Sequence, residues 1–362
     1  MNAYDLVIIG GGPAGCAAAI TAARAGARVL IAEASRYPRH KVCGEFISPE
    51  SLTPLRYLLN GSDLLVTAPQ LHRARIFVLS QVIQASLNPP AASISRLDLD
   101  LALWNSAVSA GCDAQQQVVI RSIEHNQNAR FLCRSSIGDF NAASVIVAAG
   151  RWSHFAKRIE DAERSKPTWL GIKAHCAEAC PDPSVDLYLF KGGYCGVQPA
   201  GTGRVNVCAV VRSDVATTLD RILQLHPALR SRSLSWHQTM EPVTTAPLIF
   251  SAPVPVRGEA LYVGDAAGFV DPFVGDGISL ALQSGIAAAA ALAPAWQDHG
   301  TLTQAAERYR QEYATRFAPV FRNAAKVRRL LSLPAPVQYV VGAVLRLPAV
   351  SARVIKSTRT RT

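Results

Sequence analysis

The 362-residue sequence predicts an α/β chain, α+β overall. A parallel-sheet nucleotide-binding domain is interleaved with a β-rich domain and followed by a helical C-terminus. Three observations predict this. A strand, a glycine loop and a helix open the chain. A second strand–glycine–helix unit recurs near residue 260. The stretches between them alternate apolar and polar residues in short runs, as antiparallel strands do.

The first unit is the most informative. Tyr4 to Ile9 is an unbroken apolar run, as in a strand buried on both faces. Gly10, Gly12 and Gly15 follow in G-x-G-x-x-G spacing, and Pro13 to Ala25 reads as an alanine-rich helix. Gly10 allows the tight turn, Gly12 lets a pyrophosphate reach the backbone, and Gly15 lets helix and strand pack closely. The helix start, with Pro13 and Ala14, offers free amides and a positive dipole end to phosphates. Val29 to Ala32 is a second strand. It ends at Glu33, with Ala34 beside it, where a carboxylate accepts hydrogen bonds from ribose hydroxyls. An acid here disfavours a 2′-phosphate, so this Rossmann-type unit fits FAD or NAD rather than NADP.

The second unit lies at residues 260–285. Leu261 to Val263 reads as a strand ended by Gly264 and Asp265. Gly275, Asp276 and Gly277 precede a long apolar helix from Ile278 to about Leu292. A glycine-rich helix start again makes an anion-friendly pocket. Two such motifs in one chain hold one extended dinucleotide at two points, and the second suits the edge of a flavin that turns negative on reduction.

G-x-G-x-x-G with Glu33, then G-D-A-A-G-F-x-D-P-F-x-G-x-G-I, resembles the FAD-dependent oxidoreductases of the p-hydroxybenzoate-hydroxylase fold. Within them the chain is most similar to the geranylgeranyl-reductase-like branch, over roughly residues 3–330. The resemblance implies that Asp265 contacts the ribityl or pyrophosphate region. It implies that Gly275, Gly277 and Ile278 offer amides to the isoalloxazine. Arg96, at the start of an amphipathic helix, is implied to reach the FAD. Lys41, Cys43 and Gly44 match the branch's K-x-C-G loop beside the flavin. Cys43 has three readings: a redox disulfide partner (Cys195 would be the second cysteine), a pocket-lining group that positions substrate or supplies a proton, or an inert loop filler. Glu45 lies next to it.

Residues 194–199, Tyr-Cys-Gly-Val-Gln-Pro, correspond to the prenyl reductases' Y-x-W-x-F-P. Tyr and Pro remain, while Trp is Gly and Phe is Gln, so the space above the ring is expected to be more open and more polar. Tyr194 and Cys195 are candidates for the substrate face, beside Cys43 as catalytic groups; plain sheet core is the other reading. Where nicotinamide-using hydroxylases carry D-G, this chain has Ala149 and Gly150, which leaves the electron donor open.

The expected domains are an FAD-binding domain in three segments (1–65, 97–160 and 255–300), a β-rich substrate domain (66–96 and 161–254), and C-terminal helices with a basic apolar tail (301–362). The composition, 49% hydrophobic and 17% charged, is globular. The net charge is +11, and ten Lys/Arg with no acid lie from Tyr313 onward. A basic apolar end on a nearly neutral body points to an anionic membrane surface rather than to nucleic acid. Residues 336–355 are too interrupted, by Arg346 and Pro348, to span a bilayer. They read as a surface-lying segment or as helices packed on the body. No CxxC pair or paired-histidine spacing suggests a metal, and no G-x-S-x-G suggests a hydrolase. Eight cysteines and an immediate strand read as a reduced, cytoplasmic protein, peripheral to the inner face of a membrane at most.

The function expected is FAD-dependent oxidoreduction of a hydrophobic small molecule. Reduction of carbon–carbon double bonds in a lipid, prenyl or polyketide-like substrate leads, with NAD(P)H or a reductase as external electron donor. Hydroxylation of an aromatic or polyketide-like substrate is the second reading, and a non-catalytic flavin-binding electron carrier the third.

Overall fold

The computed structural model describes residues 3–126, 130–151, 154–155, 168–297 and 299–331. The expected tail segment at 336–355 lies outside them. Elements are numbered in chain order.

The first sheet comprises β1 (Ala3–Ile9), β2 (Val29–Glu33), β6 (Asp113–Gln116), β7 (Ile120–Asn126), β8 (Arg130–Ser135), β9 (Phe140–Val147), β15 (Val256–Arg257) and β16 (Ala260–Tyr262). Its order is β15-β16-β9-β1-β2-β6, with the β7–β8 hairpin attached through β8 to β9. The strands β16, β9, β1, β2 and β6 run parallel. Strands β1, β2 and the end of β9 carry apolar runs because both faces are covered there, whereas the edge strand β6 is Asp-Ala-Gln-Gln and only partly buried. Helices α1 (Pro13–Arg24), α4 (Arg96–Ser109) and α7 (Gly277–Trp296) share one hydrophobic core with them.

The second sheet comprises β3 (Phe46–Ile47), β4 (Gln70–Val78), β5 (Gln81–Ser93), β10 (Trp169–Ala177), β11 (Ser184–Phe190), β12 (Gly193–Pro199), β13 (Arg204–Arg212) and β14 (Val243–Thr245), in the order β14-β10-β13-β12-β11-β4-β5-β3. It is antiparallel as its alternating pattern predicts, except that β11 pairs with β4 in parallel. That join links two distant stretches, so no hairpin constrains its direction. The short β3 leaves the nucleotide-binding segment to pair with β5.

Alternation splits the second sheet into two faces. Ile172, Ala174, Cys176, Cys195, Val197, Val205, Val207 and Ala209 pack with Leu219, Ile222 and Leu229 of α5 (Leu219–Leu223) and α6 (Pro227–Arg232). Lys173, His175, Tyr194 and Asn206 take the other face, toward the loop at 40–47 and residues 248–273.

Helix α7 is long and apolar enough to cross a bilayer. Here it is a core helix lying on α1. A Cβ added at Gly285 would sit 2.2 Å from the Ala14 carbonyl oxygen, and one at Gly264 would meet the Ala14 side chain at 2.9 Å. These two glycines bring the second motif against the first. Beyond α7, α8 (Leu302–Glu312) leads into α9 (Ala318–Leu331). Helix α9 buries Val320, Phe321 and Ala324 and exposes Arg322, Lys326 and Arg329.

Candidate active site

The site forms where the starts of α1 and α7 meet the loop after β2. Each part of the glycine loop behaves differently. Gly10 has φ +106°, open only to a residue without a side chain, and a Cβ at Gly15 would lie 1.9 Å from the Gly10 carbonyl oxygen. A Cβ at Gly12 would meet nothing within 4 Å. The first pair is therefore needed for packing, whereas the room at Gly12 serves something outside the chain. The same holds for Gly44, which also has nothing within 4 Å, and for Gly277, whose nearest neighbour is Val270 at 3.8 Å. Gly12 caps α1 and Gly277 opens α7, so two helix starts with orphan amides sit beside open space. This cradle fits a dinucleotide carrying a pyrophosphate.

Glu33, nearly buried, shapes the first loop. One carboxylate oxygen accepts from the Gly11 amide at 2.8 Å; the other accepts from the Ser35 amide and from Arg39 Nη2, each at 2.9 Å. The carboxylate expected to face a ribose is thus also a loop brace, with one acceptor position left on the Gly11 side. Ala34 follows it, exposed. Arg39 was not anticipated from the sequence; its Nε is buried with no partner among the described residues.

Lys41, Arg96 and Arg151 surround Asp265, whose side chain is 40% exposed. Burial, with Arg96 nearby, lowers the Lys41 ammonium to about 8. Arg96 is held by a fork to the fully buried Asp100 at 2.6 and 2.7 Å, which fixes its head and leaves further N–H groups for a ligand. Helix α4 starts here because Ser95 caps it, accepting from the Asp98 amide at 3.1 Å. Arg151 lies 4.0 Å from Asp265 and stacks on Phe269. Four cations (Arg39, Lys41, Arg96 and Arg151) against three acids (Glu33, Asp100 and Asp265) suit a dianionic pyrophosphate. Gly275 takes the left-handed conformation, φ +65°, which turns the chain into α7, and Ile278 is buried in the core.

Cys43 is partly buried between this cradle and the second sheet. Its Sγ accepts from the Glu45 amide at 3.3 Å. Burial pushes the thiol above its usual range, against the pull of Arg96 and of that amide. The cysteine is free, so the disulfide reading has no support here.

Tyr194 and Cys195 do not act together. Tyr194 joins an aromatic wall with Val210, Leu248, Phe250, Phe269 and Phe273, and meets Phe273 edge-on at 5.2 Å. Its hydroxyl is buried without a partner among the described residues. Cys195 points to the opposite face, fully buried in the core under α5 and α6. A strand reverses side-chain direction at each residue, so the two could not both face the ring, and Cys195 leaves the set of catalytic candidates. The wall continues as a stack: Arg151 over Phe269 at 4.4 Å, Phe269 beside Phe250 at 5.5 Å, and Arg328 over Phe250 at 4.2 Å.

Glu45, Lys173, His175 and Asn206 complete the site. Glu45 and Lys173 are fully buried and form an ion pair. His175 Nε2 lies 2.9 Å from the other Glu45 oxygen. Asn206 donates to the Cys43 and Gly44 carbonyls at 3.2 and 2.9 Å. Of these only Glu45 was singled out from sequence. Two polar residues at alternate positions of an otherwise apolar strand, Lys173 and His175, were the available signal.

A profile of the FAD dependent oxidoreductase family matches residues 5–38. The chain is 25% identical over 356 residues to the menaquinone reductase of Mycolicibacterium smegmatis, covering 91% of this chain and 85% of that one. It is 28% identical over 348 residues to the digeranylgeranylglycerophospholipid reductase of Thermoplasma acidophilum, covering 88% and 85%. Among solved structures, a flavin-dependent brominase superposes with a TM-score of 0.82 at 19% identity, covering 99% of this chain and 93% of that one. A geranylgeranyl bacteriochlorophyll reductase-like protein from Thermoplasma acidophilum gives 0.77 at 23%, covering 99% and 96%. Taken with the two helix-start cradles, these likenesses mark the chain as an FAD-dependent oxidoreductase, similar to the geranylgeranyl-reductase type and sharing the fold of the flavin-dependent brominase.

Proposed function

We propose that the enzyme reduces carbon–carbon double bonds of a hydrophobic lipid, prenyl or polyketide-like small molecule. The observation that carries this reading is the Cys43 thiol, held between the cofactor cradle and the face of the second sheet that also carries Tyr194 of the aromatic wall. Bound FAD supplies hydride chemistry. Gly12, Gly44 and Gly277 leave room for the cofactor; Arg39, Lys41 and Arg96 would neutralise its phosphates, and the amides at the α7 start would stabilise charge gained on the flavin. A thiol kept above its usual range by burial is protonated at neutral pH. It holds at Sγ the proton that the second carbon of a reduced double bond requires. The apolar wall takes the substrate and excludes water. The likeness to a menaquinone reductase and a digeranylgeranylglycerophospholipid reductase favours a lipid-borne substrate.

Electrons come from NAD(P)H or a separate reductase. The exposed Arg322, Lys326 and Arg329 on α9 repeat at helical spacing and suit the anionic surface of a membrane that carries the substrate. The test is anaerobic. Reduced enzyme mixed with unsaturated lipids should return to the oxidised absorbance at a lipid-dependent rate, with a product heavier by two hydrogens, and Cys43→Ser should slow that step. Reoxidation that needs oxygen and yields a hydroxylated product would overturn the reductase reading. Sedimentation with anionic vesicles, compared between wild type, a variant with Arg322, Lys326 and Arg329 each changed to Gln, and a chain without residues 333–362, tests the membrane contact.

A further inference from the structure

Cys43 sits on a loop whose polar atoms are tied down from the second sheet. Glu45 is the centre of that arrangement. Its carboxylate has no exposure, and it accepts from Lys173 Nζ, from His175 Nε2 at 2.9 Å and from the Arg96 amide at 3.1 Å. Its carbonyl accepts from the Ile94 amide at 3.0 Å. Its own amide donates to Cys43 Sγ. Asn206, paired directly opposite His175 across β10 and β13, holds the carbonyls of Cys43 and Gly44.

This arrangement works against stability in two ways. Glu45 has φ +60°, a left-handed conformation that costs a residue with a side chain about 1–2 kcal/mol. A buried ion pair is often no more stable than apolar residues of the same volume. Both costs fall on Glu45, two residues from the Cys43 thiol, whereas a loop that only needed to be closed could be filled with apolar side chains.

We propose that Lys173, His175 and Asn206 are positioning residues. Acting through Glu45 and through the Cys43 and Gly44 carbonyls, they fix the thiol of Cys43 at the junction of cradle and wall. The inference rests on Cys43 as the group that meets substrate, but its test needs no substrate. Loss of lipid reduction would sink the functional reading without touching it.

The other cysteines provide the control. Cys133 and Cys195 are fully buried in other parts of the protein, and Cys16 is fully buried at the α1 start. FAD-loaded enzyme is treated with iodoacetamide, and the alkylation rate of each cysteine is read by peptide mass spectrometry. Lys173→Met should speed alkylation of Cys43 by about tenfold or more, the effect expected when a buried charged hydrogen bond is lost and the local opening becomes easier. Cys16, Cys133 and Cys195 should keep their wild-type rates. Asn206→Ala leaves the ion pair in place and should release Cys43 in the same selective way, which covers the case in which Lys173→Met fails to fold. An unchanged Cys43 rate in a folded variant overturns the proposal. So does a rise shared by all four cysteines, because that reports general loosening.

Discussion

Replacing Gly12 by alanine separates cofactor binding from folding. The backbone at Gly12 has φ −71° and ψ −177°, which alanine adopts freely, and an added Cβ meets no atom within 4 Å. The folded chain alone should therefore barely register the change, within about 0.5 kcal/mol as for an unstrained surface site. The pyrophosphate would register it. The methyl group occupies the approach to the α1 start, and losing one charge-assisted hydrogen bond there costs about 2 kcal/mol, or roughly a thirtyfold weaker Kd. Gly15→Ala is the contrast. Its Cβ would fall 1.9 Å from the Gly10 carbonyl oxygen, a backbone atom in the tightest turn of the domain. That change should cost about 3 kcal/mol or more through forced backbone movement. The assay is thermal melting of the flavin-free proteins together with fluorescence titration by FAD. Gly12→Ala should melt like wild type and bind FAD weakly, and Gly15→Ala should melt early. If Gly12→Ala binds FAD as tightly as wild type, the phosphate is not at the α1 start and the reasoning fails.

Three further outcomes are expected. Tyr194→Phe deletes a buried hydroxyl with no partner among the described residues, so the urea midpoint should correspond to a gain of roughly 1 kcal/mol; a loss would reveal a bound partner for that hydroxyl. Arg96→Lys breaks the fork to buried Asp100 and should cost about 2 kcal/mol with weaker FAD retention; an unchanged midpoint would mean the fork contributes nothing. For Glu45, burial alone would raise the carboxyl pKa, but His175 and Lys173 hold it below its ordinary 4.5. A depressed native pKa gives stability that is present above the unfolded value and lost as pH falls through the native one. Urea midpoints should therefore drop more steeply below pH 5 in wild type than in Glu45→Gln, and parallel curves would contradict the assignment.

Legibility in the sequence follows the range of the interaction. The β1–α1–β2 unit could be read because every constraint on it is local: two apolar runs, three glycines at fixed spacing, and an acid at the strand end. The second motif was legible for the same reason, but its contact with the first was not. Gly285 and Gly264 mark where α7 and the second motif lie against Ala14, and no pattern around either says which helix will approach. The Cys43 loop shows the limit more sharply. Its partners Lys173, His175 and Asn206 lie 128 to 163 residues downstream of the atoms they hold. They sit on strands that are buried on both faces, where hydrophobicity no longer distinguishes inside from outside.

Cys195 was legible in principle, because strand alternation alone forbids it from sharing a face with Tyr194. The assignment that survives is therefore the one that satisfies both the motif and the pleat. Tyr194 lies on the face with the aromatic wall and Asn206, and Asn206 holds the carbonyls of Cys43 and Gly44. One face of one sheet thus carries Tyr194 of the aromatic wall and the grip on the Cys43 loop. A change in that sheet should reach the Cys43 loop before it reaches the two helix starts of the cradle, since β13 contacts that loop directly through Asn206, whereas α1 and α7 pack on the other sheet.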